Sequence, residues 1–349
     1  DAGFIFSSAA GGVAATIPAQ TAGNTSATYY LRAVRTSTTT KACEAALTAS
    51  GTVNLGYTCN NPGTCSAGSR LDITPYNLGG VAQPTVSVAP GSTAVTLFFD
   101  ANGNARHTFS YRDAGQITIN ASKAAGGLLL TPLAGSTNAF VTAPANLLVA
   151  ASGPFIAGTA FGTTVTARTS GGATTPNFGQ ETTAASATLS SSNPAPGLGN
   201  ATAISTAASA FAAGVSATNL TWNEVGTIDL GASTSNYLGS GLNVTGSLAT
   251  VGPFIPGYFD TIVSHACGSF TYGGLAPALA GQPFTVEVKA KRTGGDATDA
   301  TNTANYAGAT WAQDVTLSDV AAGPGTLANN IFLATDFVLG KRSQDVNYR

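Results

Sequence analysis

Only two histidines occur in the 349 residues, His107 and His265, so a hydrolytic triad or an imidazole metal site would have to use one of them. His107 follows an Asn102-Gly103 turn in an alternating stretch, where an exposed strand position is expected. His265-Ala266-Cys267 offers two metal ligands, but no second pair at metal-site spacing accompanies it, and a structural role is expected for Cys267. Asp100-Ala101-Asn102-Gly103-Asn104 places oxygens at alternate positions, as a calcium loop does. No Glu closes it at the required distance, and a hairpin turn accounts for it. The chain has no nucleophile elbow, no His-Glu-x-x-His and no Cys-x-x-Cys, and Gly340-Lys341-Arg342 lacks the rest of a phosphate loop. Asp296 and Asp299 lie in a Gly- and Thr-rich loop that solvates them. A chain without catalytic residues, bound metal or cofactor is expected.

The four cysteines point instead to an oxidising compartment. Cys59 and Cys65 bracket Asn60-Asn61-Pro62-Gly63-Thr64, a turn that a disulfide could close, leaving Cys43 for Cys267 or free. Three connectivities are open to four cysteines. A formal net charge of -2 and only 9% charged residues give no basic field for nucleic acid. No run approaches the ~18 apolar residues of a membrane span. The chain has neither a methionine nor a basic n-region ahead of an apolar run, which reads as an exported product cut from a larger precursor. Hydrophobic residues at 43%, in short alternating runs, are enough to order so much Gly, Ser and Thr.

These residues must be positioned by strands, and the strands repeat. Ala22-Gly23, Ala157-Gly158 and Ala280-Gly281 each lead into an alternating run with a cation near its end, namely Leu31-Arg32-Ala33-Val34-Arg35, Val165-Thr166-Ala167-Arg168 and Val288-Lys289-Ala290-Lys291-Arg292. A second frame, Gly-x-Ile-x-apolar-x-Ala-Ser, occurs at Gly115–Ser122 and at Gly226–Ser233. Its period of two puts Ile117, Ile119 and Ala121, or Ile228, Leu230 and Ala232, on one face. An aromatic residue four positions before each Gly and a carboxylate two before it (Tyr111 and Asp113, Trp222 and Glu224) suggest a corner between consecutive strands. Trp222 and Trp311 are expected in strands, as core. The alanine-rich run 201–217 is expected to be strand or loop.

This closing frame starts 92 residues after Gly23 and 68 after Gly158. In the third copy it would fall at or past Arg349, so the third module is expected to stop one strand short. The first residues, Asp1-Ala2-Gly3-Phe4-Ile5, match the Asp113-Ala114-Gly115 approach to a closing strand. The expectation is therefore an all-β chain of tandem immunoglobulin-like sandwiches: a donor strand at 1–12 and modules at 13–125, 126–240 and 241–349. Residues 1–12 would complete the third module of the next subunit by strand addition, with Phe4, Ile5, Phe6, Val346 and Tyr348 at the joint. The register of the closing frame would turn Ile5, Ser7 and Ala9 inward and Phe4 and Phe6 outward, unless it slips by one. Such a head-to-tail homopolymer is an open filament. The alternative is a cut piece of a longer surface polypeptide.

Cys59-Asn60-Asn61-Pro62-Gly63-Thr64-Cys65, Pro256-Gly257-Tyr258-Phe259 with Cys267 and Phe270-Thr271-Tyr272, and Gln282-Pro283-Phe284 with Asn305-Tyr306-Ala307-Gly308 resemble the MshQ-like family of large surface proteins encoded with mannose-sensitive haemagglutinin type IV pilus genes. The resemblance implies an exported protein on a Gram-negative cell surface, with pilus components or surface ligands as partners and no enzymatic activity. It covers both ends of the chain and thins between about residues 125 and 250.

Overall fold

The computed structural model describes all residues except 66–67, 79–82, 127–128, 199–200, 265–282 and 321–324. His265, Cys267 and the Ala280-Gly281 landmark lie outside the described residues. Its regular structure is nearly all strand, arranged as three successive immunoglobulin-like sandwiches around three hydrophobic cores.

Each module begins with the same antiparallel trio. Its opening strand is Ala2–Ser7, Asn146–Ser152 or Tyr258–Ser264. The second strand is Tyr29–Thr36, Ala160–Arg168 or Pro283–Lys291. The return strand is Asn104–Tyr111, Val215–Thr221 or Lys341–Tyr348. The registers coincide, because Phe4, Leu147 and Phe259 stand opposite Ala33, Ala167 and Ala290.

The facing sheet of modules one and two holds the frames read from sequence. Closing strands Gly115–Lys123 and Gly226–Thr234 pair with Ala49–Asn61 and Thr188–Ala195. Their alternation is realised in the burial: Ile117, Ile119, Ile228 and Leu230 are all 1% exposed or less, and each contributes about 1.5–3 kcal/mol by leaving water. A further strand, Leu133–Ser136 or Val244–Phe254, pairs with the closing strand and covers the opening strand. Glycine is needed at that crossing. A Cβ on Gly135 would come within 2.1 Å of the Phe4 carbonyl oxygen, and one on Gly246 within 1.6 Å of that of Leu147.

Among the described residues of the third module, the facing sheet consists of Val315–Thr316 with Ile331–Phe332. Among the described residues it has no counterpart of the closing strand or of the cover strand.

Several expectations change. Ala2–Ser7 is an opening strand, not a closing one: it pairs with the second strand of module one, and its two Phe side chains point inward at 5% and 4% exposure, while Ile5 faces partly outward. Burying two aromatics outweighs the match to the Gly-x-Ile frame and sets the other face inward. The cores divide the chain differently from the expected boundaries. The first runs from Phe4 to Phe140, the second draws on residues up to Phe254, and the third reaches Val346, since each complete module keeps its cover strand. His107 is buried, not exposed, because it shares the inward parity of Phe109 and Tyr111 on the return strand. Its Nδ1 lies 3.2 Å from the Ala105 carbonyl, and burial pulls its pKa down to about 4, so the ring is neutral. Trp222 is core, whereas Trp311 lies in a helical turn, Gly308–Trp311, half-buried against the third core. In the run 201–217, Ser205–Ala207 and the start of Val215–Thr221 are strand.

Candidate functional site

The carboxylates two residues before the closing-strand glycines do more than turn a corner. Both are buried, Asp113 at 1% exposure and Glu224 at 6%, and both accept backbone N–H groups from the following module. Asp113 Oδ1 accepts from Asn177 N at 3.1 Å and from its own neighbour Ala114 N at 2.8 Å. Glu224 accepts from Ala304 N at 3.1 Å through Oε1 and from Asn305 N at 3.0 Å through Oε2.

The asparagine answers in both cases. Asn177 Nδ2 donates to the Ala114 carbonyl at 3.1 Å, and Asn305 Nδ2 to the Val225 carbonyl at 3.0 Å. Asn177 and Asn305 occupy equivalent sites, because the threonine two residues earlier, Thr175 or Thr303, donates its backbone N–H to Ala167 or Ala290 of the second strand. Between carboxylate and glycine, Ala114 and Val225 insert their side chains into the core of the next module. Each joint is therefore a reciprocal polar clasp around one apolar plug.

The Ala-Gly landmarks complete the joint. Gly23 N donates to the Tyr111 carbonyl and Gly158 N to that of Trp222, both at 2.8 Å, which ties the landmark to the end of its own return strand. The preceding alanine then accepts from the next module: Ser170 N reaches the Ala22 carbonyl at 2.9 Å and Thr293 N reaches that of Ala157 at 2.8 Å. Both glycines have a left-handed backbone, φ +82° and +80°. A Cβ would strike Ser170 Oγ at 2.9 Å in one joint and the Thr293 carbonyl oxygen at 2.5 Å in the other. These two Ala-Gly landmarks thus lie where module meets module.

Burial governs the electrostatics. It pushes the Asp113 carboxyl up to about 6 and raises that of Glu224, against the lowering effect of the donated N–H groups. Burial also raises the hydroxyls of Tyr111 and Tyr237. Asn177 Nδ2 lies 3.3 Å from the Tyr111 hydroxyl, which in turn lies 3.7 Å from Cys65 Sγ. Glu181, 5% exposed, fixes the loop beyond Asn177 by accepting from Gly179 N, Ala185 N and the Tyr237 hydroxyl at 2.8, 2.9 and 2.5 Å.

The residues singled out from sequence are dispersed. Phe4 and Phe6 lie in the first core and Val346 in the third, so one chain does not bring them together. The Tyr348 hydroxyl accepts from Gly325 N at 3.0 Å and donates to Asp319 at 3.3 Å. Cys59 and Cys65 form a disulfide with their Cα atoms 5.7 Å apart, and Cys43 is exposed, without a disulfide partner among the described residues. Asp100 Oδ1 accepts from Asn102 N, Asn104 N and Asn104 Nδ2, a hairpin turn in which Gly103 takes φ +77°. No cluster of three or more metal-ligating side chains occurs among the described residues. Sequence reasoning missed Asn177 and Asn305. Their signal is the short match Thr175-Pro176-Asn177-Phe178 with Thr303-Ala304-Asn305-Tyr306.

The chain was compared with known proteins. The chain covers 99% of its length against 88% of an Escherichia coli adhesin, FdeC, at 11% identity and TM-score 0.32. It covers 71% against 63% of a C-terminal intimin fragment solved with the intimin-binding domain of its translocated receptor, at 13% identity and TM-score 0.27. No curated protein matches. Residues 1–132 match the family described as domain of unknown function DUF6701, first Ig-like domain, and residues 224–345 match the DUF6701 third domain. The second match begins at the clasp carboxylate Glu224 and so takes in the strands that close the second core. Two regions of the chain, one toward each end, thus match models of DUF6701 domains.

Proposed function

We propose that the chain is a non-enzymatic stalk of immunoglobulin-like modules from an exported surface protein of the MshQ-like kind, holding an adhesive or pilus-linked partner away from a Gram-negative cell. The observation that carries this reading is the repeated joint: the same carboxylate-to-asparagine clasp, apolar plug and glycine landmark couple module one to two and two to three. A string of modules coupled this way transmits position, which is what a stalk requires and a catalyst does not. The Cys59–Cys65 disulfide suits an oxidising exterior.

Filament growth by donation of residues 1–12 is less favoured. It would withdraw Phe4 and Phe6 from the first core at about 1.5–3 kcal/mol each, whereas the stalk needs no such step. Small-angle scattering of the wild-type chain and of the doubly substituted Asn177→Ala, Asn305→Ala chain tests the reading. The wild type is expected to give one sharply defined maximum dimension and the variant a broadened distribution. Equal flexibility in both would remove the basis for a stalk.

A further inference from the structure

Module two lies in the middle of the chain and keeps its closing and cover strands, yet one of its sheet edges differs from its counterparts. The return strands align through Gly103, Gly214 and Gly340, whose carbonyls accept from Ala33 N, Ala167 N and Ala290 N. Alternation then turns every second N–H and C=O of each return strand away from the second strand. In module one those groups pair with Leu71–Pro75, and the Arg106 carbonyl accepts from Tyr76 N at 2.9 Å. In module three Leu327–Ala328 pairs with the end of the return strand, and the Asp345 carbonyl accepts from Asn329 Nδ2 at 2.5 Å. The corresponding residues of module two are Ala217, Asn219 and Thr221. Their main-chain groups meet nothing among the described residues, because Val215–Thr221 pairs only with Ala160–Arg168.

An open edge is normally guarded by a charge, a proline or a bulge. Val215–Thr221 has no charged residue, no proline and an unbroken register. The return strands of modules one and three, whose edges are filled, carry Arg106 and Lys341, Arg342 and Asp345. The inner side of the edge limits what can occupy it. In module one the filling strand sends Leu71 and Ile73 into the core, at 0% and 5% exposure. In module two Ala208 and Phe211 are buried, and the segment between them is held against the return strand by Ser209 N donating to Thr218 Oγ1 at 2.8 Å and Ser216 Oγ donating to the Ser209 carbonyl at 2.7 Å. That segment closes the way into the core, so the occupant pairs through its main chain and small side chains rather than through apolar anchors.

We propose that the edge at Ala217, Asn219 and Thr221 is a dimerisation site, where the same strand of a second copy adds antiparallel about a two-fold axis at Asn219. In that register Asn219 faces its own counterpart and Ala217 faces Thr221 of the partner subunit, so the outward main-chain groups of all three are matched. The strand carries no charge, and its self-apposition therefore opposes no like charges. The contact is isologous and closes as a pair. It stands whether or not the joints form a stalk.

Sedimentation of the wild-type chain at ~0.1 mM, well above a micromolar dissociation constant, should give twice the monomer mass. Asn219→Lys, at an exposed position, sets two ammonium groups at the axis and should raise the dissociation constant by about tenfold or more. Cysteine cross-linking reads the register, because residues facing each other at the axis have Cα atoms ~5.5 Å apart, within disulfide reach. In a Cys43→Ser background, Asn219→Cys should oxidise to a linked dimer several-fold faster than Ala150→Cys on the opposite edge of the same sheet. A monomer throughout, with the two cysteines cross-linking equally, overturns the proposal, as does a dimer that Asn219→Lys leaves intact. So does a monomeric chain whose Ala217 and Asn219 amides are protected from exchange by an added peptide of residues 70–76, which would make the occupant a foreign strand.

Discussion

The joint between modules one and two and the joint between modules two and three use carboxylates that differ by one methylene, and the difference propagates. Glu224 reaches far enough to spread its two oxygens over two successive N–H groups of the next module. Asp113 is shorter. It divides one oxygen between Asn177 N and its own neighbour Ala114 N, and its Oδ2 is buried without a hydrogen-bond partner. The plugs differ in the same direction, Val225 at the second joint against Ala114 at the first. Hydrogen bonds to an ionised acceptor contribute about 1.5–3 kcal/mol, so the second joint should be the tighter. The first has other resources: the Tyr111 hydroxyl beside Asn177 and a bond from Thr182 N to Asn61 Oδ1 at 2.8 Å. The second joint adds bonds of its own, from Leu198 N to Asn305 Oδ1 at 2.8 Å and from Thr159 Oγ1 to Thr293 Oγ1 at 3.0 Å, so what separates the two is chiefly the reach of the carboxylate.

The sharpest way to break this contrast is Glu224→Ala, which strands the N–H groups of Ala304 and Asn305. A loss of about 3 kcal/mol in the stability of module three is expected, read by calorimetry together with faster amide exchange at those two residues. Asp113→Ala should cost the first joint less; equal losses would show that carboxylate reach is not what separates the joints.

Next in size is the glycine pair. Gly158→Ala sets a methyl against the Thr293 backbone, which cannot step aside, and should cost about 2 kcal/mol or more. Gly23→Ala meets the Ser170 hydroxyl, which can rotate, and should cost nearer to the ~1–2 kcal/mol of a left-handed non-glycine residue alone. Equal denaturation midpoints for the two variants would refute that ordering. Asn177→Ala and Asn305→Ala should each lose about 1 kcal/mol. The smaller loss is expected at position 177, where neighbouring bonds persist.

The smallest effect is a dependence on pH. The folded Asp113 carboxyl titrates at about 6, above its ordinary value of 3.8, because burial favours the neutral acid; Arg70 lowers it and Glu181 raises it. A raised carboxyl binds a proton more readily in the folded than in the unfolded chain. Its contribution is therefore fully present below the unfolded pKa and is lost as pH rises through about 6. His107, held down at about 4, acts in the opposite sense: its contribution is complete above 6.5 and is lost as pH falls toward 4. Between those limits the first joint should loosen as the first core firms, and carboxyl and ring NMR titrations separate the two. An Asp113 that titrates at an ordinary value would end the argument for a carboxylate buried in the joint.

Alternation made the closing strands readable, since Ile117-x-Ile119-x-Ala121 leaves one sensible inward face. The same local rule misled at the N-terminus. Gly3-Phe4-Ile5 fits the closing frame, but an opening strand and a closing strand differ in which distant strand they pair with, and no window of a few residues contains that. His107 was legible in principle, because counting back from Phe109 and Tyr111 puts it inward. The carboxylates Asp113 and Glu224 stood out beside their glycines. Their partners did not, because Asn177 lies ten residues after Ala167 and Asn305 fifteen after Ala290, so loops of different length hide one contact. The Ala-Gly landmarks were visible as a pattern, and only the neighbouring module explains them.

The clasps use peptide groups as donors and a carboxylate sealed from water as acceptor, with no lysine or arginine among their direct hydrogen-bond partners in the described residues. Dissolved salt screens exposed charges over ~10 Å at 0.1 M ionic strength, but it has little access to a contact inside a dry seam. Coupling between neighbouring modules should therefore be indifferent to whether the surrounding medium is fresh or saline.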